Sequence, residues 1–118
     1  MKSRCNISIP GFKVRPDALA WGEIQKAETL FWLEVESGFS SAQYMYDQTA
    51  LRWAKAKNYA EAAGVRLVFV LLGSQWVRQA VRIAFTDVPP SCAVILAGTK
   101  RRHFGKFPYP KWGEVVVE

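Results

Sequence analysis

Four consecutive residues, Gly73-Ser74-Gln75-Trp76, follow a long apolar run and precede a helical pattern. A strand–turn–helix joint of this kind exposes unpaired backbone N–H groups and the positive end of a helix, which suits an anionic partner. Ser74 and Gln75 can add hydrogen bonds, and Trp76 offers a face on which a nucleobase stacks. The plainer use of the same residues is structural: Ser74 caps the helix and Trp76 packs into the core. A second concentration, Lys100-Arg101-Arg102-His103-Phe104-Gly105-Lys106-Phe107, interleaves cations with aromatics. Charges can hold phosphate there while rings stack on unpaired bases. It can equally be a solvated loop anchored by Phe104 and Phe107. A third set, Arg52, Lys55 and Lys57 with Arg78 and Arg82, forms a band if two helices share one face of a sheet. Otherwise these are ordinary helix exteriors.

Catalytic chemistry finds no comparable pattern. The acids Asp17, Glu23, Glu28, Glu34, Glu36, Asp47, Glu61, Asp87, Glu114 and Glu118 are scattered. None is paired with His103 or a cysteine. A Cys92–His103 dyad would require a reactive thiol, and Cys92 heads an apolar run where it is expected to be buried and inert. The turns at Gly73 and Gly98 make neither a P-loop nor a GxGxxG fingerprint. One His and two cysteines without CxxC spacing leave no zinc site. The expectation is a binding subunit and not an enzyme, with no catalytic residue, metal, cofactor or small-molecule substrate.

The chain has 118 residues, half of them apolar, and a formal charge of +6. That is the size of one domain with a real core. The basic excess favours polyanionic partners, although a charged surface also serves solubility. Met1-Lys2-Ser3-Arg4-Cys5 has no long apolar run after it, so no signal peptide is expected. The longest apolar run, Leu67–Leu72, is too short to span a bilayer. A cytoplasmic protein without a membrane partner is therefore expected.

The elements that must position these residues can be read from periodicity. Asn6–Ile9 and Phe12–Val14 read as extended pieces around Pro10-Gly11. Pro16 and Asp17 suit the start of a helix over Asp17–Ala27, with Leu19, Ala20, Ile24 and Ala27 on its apolar stripe. Thr29–Glu36 alternates as a strand, with Phe31, Leu33 and Val35 on one face and Trp32, Glu34 and Glu36 on a partly solvated one. Ser40 or Ser41 caps one helix, or two abutting ones, over Ala42–Lys57, with Tyr44, Met45, Leu51 and Ala54 against the core. Tyr59–Ala63 reads as a separate short helical piece ended by Gly64. Val65–Leu72 reads as a strand buried on both faces. Gln75–Phe85 reads as a helix, Cys92–Ala97 as a core strand, Gly98–Trp112 as mostly loop, and Gly113–Glu118 as a closing strand. The expected architecture is α+β: a single domain over 1–118 with a small mixed or antiparallel sheet packed with helices.

The run ALRWAKAKNYAEAAGVRLVFVLLGSQWVRQAVRIAFTDVPPSCAVIL resembles the small regulatory subunit of the KEOPS complex, called the PRPK-binding protein in vertebrates. That family has a helix ending in alternating Ala and basic residues. A hydrophobic strand follows, then a Gly-containing loop at a helix start. Gly73, Ser74, Gln75, Trp76 and Val77, followed by Ala80-Val81, match that loop and helix. Asn6–Val14 also resembles the family's opening strand. The chain carries Gln75-Trp76 where the family usually has Arg-Gln, and residues 98–118 read as a shortened form of its last region. The resemblance implies a non-catalytic accessory subunit that binds the kinase-like ATPase subunit of KEOPS. It also implies recruitment of tRNA through its 3′ CCA end for threonylcarbamoyladenosine modification. In that reading Gly73 permits close backbone approach, and Ser74 and Gln75 bond the terminal nucleotides. Trp76 and Val77 line a base pocket, while Lys55, Lys57, Arg78, Lys100, Arg101, Arg102 and Lys106 hold phosphates. The alternatives are a protein-interaction module without RNA binding, and a small hydrolase or transferase using Cys92 or His103.

Overall fold

The computed structural model describes residues 16–98 and 109–118, with the backbone alone of residues 2–5. Six strands form one mixed sheet in sequential order. β1 (Lys2–Cys5), β2 (Ala18–Ile24) and β3 (Ala27–Val35) make its antiparallel half. From β3 onward, β4 (Arg66–Leu72), β5 (Cys92–Ala97) and β6 (Val115–Val117) are parallel. α1 (Ala42–Ala63) links β3 to β4. α2 (Gln75–Val81), extended by a 3-10 turn over Arg82–Ala84, links β4 to β5. This is the expected α+β domain with a mixed sheet.

One element is corrected outright. The segment expected as a helix over Asp17–Ala27 is β2 and the start of β3. Its Leu19 and Trp21 alternate with Ala18 and Ala20, and Gly22 disfavours a helix interior. The deciding feature is a two-residue hairpin turn, Gln25-Lys26, with φ of 51° and 64°. Two left-handed residues match the right-handed twist of flanking strands. The usual Asn-Gly marker is missing, so the sequence hid the turn.

The other elements differ in extent or face. Ser41 is the N-cap of α1, its hydroxyl accepting from the Tyr44 N–H, and Gly64 ends the helix at φ 69°. The two expected helical pieces are therefore one. Its buried stripe is Met45, Thr49, Trp53, Ala56 and Ala60. Tyr44, Leu51 and Ala54, expected inside, are exposed, because the bulk of Trp53 and Met45 decides which face turns inward. The helix expected over Gln75–Phe85 is α-helical only to Val81. The expected extended pieces at 6–9 and 12–14 lie outside the described residues.

Both faces of the sheet are covered. Leu30, Trp32, Leu67, Phe69, Leu71, Val94 and Leu96 meet the helices through Met45, Trp53, Val77, Val81 and Phe85. The opposite face buries Val68, Val70, Ala93, Ile95 and Ala97, with Phe31, Leu33 and Trp112 packed against them. The Trp32–Glu34 face of β3 is therefore not solvated as expected. It lies beneath α1.

Candidate functional site

The carboxyl ends of β3, β4 and β5 lie side by side. The Glu36 N–H donates to the Leu72 carbonyl at 2.9 Å, and the Gly73 N–H to the Ala97 carbonyl at 3.0 Å. Loop 36–41 and the turn 73–74 meet at this rim. A Cβ on Gly73 would stand 2.7 Å from Val77 Cγ1, so only glycine lets the turn close on α2. Gly38, at φ 85°, lies against the Trp76 ring and Val77. Its N–H donates to the Glu36 carboxylate at 3.2 Å.

These contacts fix what the turn offers. Ser74 caps α2, its hydroxyl accepting from the Val77 N–H at 3.3 Å, and its carbonyl accepts from the Arg78 N–H. The Arg78 guanidinium donates to the Gly73 carbonyl. Val77 is fully buried. Ser74 and Arg78 are thus partners of the turn itself, and Val77 belongs to the core. At seven residues, α2 is too short for its N-terminus alone to make an anion site. Trp76, by contrast, is not in the core: the residue is 49% exposed, and Phe39, which follows Gly38 on the loop, is 95% exposed. Gln75 is exposed next to them. Phe39 went unnoticed in the sequence because nothing in the run Ser37-Gly38-Phe39-Ser40 says that the glycine before it packs against Trp76.

Of the expected basic band, Lys57 lies away from the Gly73 turn. Lys57 lines a cavity of about 480 Å³ with Val65, Ser91 and Cys92, at the amino ends of β4 and β5. Gly73 touches the other end of β5, about 17 Å away along an extended strand. Lys57 also stacks over the Trp53 ring at 4.8 Å. Lys55 is half-buried on α1. Lys100, Arg101, Arg102 and Lys106, with His103, fall outside the described residues. Cys92 is buried as expected, and desolvation pushes its thiol pKa up, which disfavours the reactive thiolate.

A carboxyl group absent from the expected site stands nearby. Glu34 is 3% exposed under α1. It accepts from the Trp32 indole N–H at 2.9 Å and faces the Arg52 guanidinium at 3.8 Å. Burial pushes its pKa up to about 7, against the Trp32 hydrogen bond and Arg52, and with the help of Asp17 and Glu36. Asp17 precedes Ala18, which pairs with Leu33, so it lies across from Glu34 on the helix side of the sheet. Its carboxylate accepts from the Val35 N–H at 2.6 Å. The hairpin brings these acids together, and it was unreadable while Asp17 was assigned to a helix. Among the described residues no three His, Cys, Asp or Glu side chains are grouped to hold a metal ion.

No described helix is long and apolar enough to cross a membrane. No known protein family, curated protein or solved structure matches the chain.

Proposed function

We propose that this protein binds single-stranded nucleic acid at the carboxyl-end rim of β3–β5. The observation that carries the reading is the half-exposed Trp76 ring, with Gly38 packed against it and the exposed Phe39 next along the loop. Exposed aromatic faces on a basic domain suit unpaired bases, since every base has a face to stack. The net charge of +6 supports a polyanionic partner. The specific form suggested by the sequence resemblance is an accessory subunit of a KEOPS-type assembly. It would be cytoplasmic, bind the kinase-like subunit and recruit tRNA by its CCA end. Fluorescence anisotropy with a labelled RNA ending in CCA, and with the same RNA as a duplex, tests the core of this reading. The single strand binds more tightly, and Trp76→Ala weakens it about tenfold. Equal, weak binding to both forms and no effect of Trp76→Ala would remove it. Co-purification with a kinase-like subunit tests the specific form.

A further inference from the structure

The helix layer stops short of β6. Two cavities occupy the notch between α2, its 3-10 extension and that strand. One, of about 150 Å³, has Gln75, Arg78 and Arg82 on its helix wall and Val117 and Glu118 on the other. The next, of about 450 Å³, has Arg82 and Ile83 facing Glu114 and Val115. Arg82 lines both, and Gln75, the neighbour of Trp76, lines the smaller; we take the two as the ends of one groove. Arg82 is exposed, and among the described residues no side-chain hydrogen bond or ion pair engages it, whereas Arg78 is bonded to the Gly73 carbonyl. Ile83, 67% exposed, adds an apolar surface beside it.

We infer that this groove carries the sugar–phosphate backbone of the strand whose base stacks on Trp76, with Arg82 as its phosphate contact. This rests on the nucleic-acid reading above and extends it in direction. The strand leaves the rim toward β6, along α2, and not along α1 toward Lys57. Charge decides between walls: the phosphates follow the helix wall, where the guanidinium stands, and keep clear of Glu114 and Glu118 on the strand. A planar guanidinium on an otherwise uncommitted side chain is the group best shaped for phosphate oxygens.

Each phosphate contact on a single strand contributes about 0.7 to the slope of log affinity against log salt, while stacking contributes little. The two contacts are therefore separable by titrating a labelled single-stranded RNA from low to moderate salt. Arg82→Ala lowers the slope by about 0.7 and weakens binding several-fold at low salt, and Arg82→Lys restores the slope. Trp76→Ala weakens binding with the slope unchanged. Arg82 is exposed, so its variants keep the fold, which circular dichroism verifies. If Trp76→Ala weakens binding but Arg82→Ala leaves the slope intact, the groove assignment fails and the rim reading survives. If wild-type protein binds no RNA, the rim reading itself fails. An oligoglutamate peptide that binds through Arg82 while RNA does not would make this an acidic-peptide groove and overturn the inference.

Discussion

Glu34 couples protonation to stability. Its pKa is about 7 in the fold against an ordinary value of 4.5, so the folded state favours the neutral acid. A raised pKa contributes stability that is fully present below the unfolded value and is lost as pH rises through the folded one. The protein therefore loses stability between about pH 5 and pH 8 through this group, by up to about 3 kcal/mol. Glu34→Gln keeps an acceptor for the Trp32 indole and removes the charge. Urea titrations at pH 5.5 and 8 will show a flattened pH dependence, with the variant more stable than wild type at pH 8. Gly73 makes a different prediction. A methyl group there meets Val77 Cγ1 at 2.7 Å and its Cβ at 3.0 Å. Gly73→Ala costs about 1–3 kcal/mol by overpacking and displaces the Trp76 turn. The sequence marks Gly73 for close approach of a ligand, whereas the neighbour the structure sets against it is the core residue Val77. Glu34 was legible as a residue and not as a site. Alternation in β3 placed it opposite Leu33, and only the tertiary position of α1 made that face dry.

At the scale of elements, α1 shows what periodicity settles and what it leaves open. Ser41 and Gly64 bound the helix as their residue types suggest, because a hydroxyl caps the first turn and glycine alone takes the left-handed stop cheaply. Its buried face was misread because Ala recurs on every side of it, and the large residues choose. Trp53 docks edge-on against Phe69 of β4 and Phe85 after α2, with ring centroids 5.6 and 5.4 Å apart. Trp53→Ala should cost about 3–5 kcal/mol, a loss that denaturant unfolding will read. Nothing stands within 4 Å of a Cβ built on Gly64. Gly64→Ala therefore pays only for its positive φ, about 1 kcal/mol, and the contrast between the two variants separates packing from backbone strain. The hairpin Gln25-Lys26 lies at the other extreme. Its conformation was invisible in the residue types, so replacing it by Asn-Gly should raise the midpoint of thermal unfolding.

Across the whole molecule, the chain joins an antiparallel half built from neighbours in sequence to a parallel half that is not. The strands from Arg66 to Ala97 were legible because they are apolar on both sides, as parallel strands buried on both faces must be. The antiparallel half was less legible, since one strand was masked by small residues. β4 sits between two parallel neighbours, so no tight turn closes either side of it. The β2–β3 ribbon can zip from its own bend, whereas the middle of the sheet waits for α1 and α2 to bring distant segments together. Amide deuteration should report this order in reverse. Protons of Val68–Val70 should be the slowest to exchange, released only when the entire chain opens, while those at Glu23 and Glu28 leave early through local fraying.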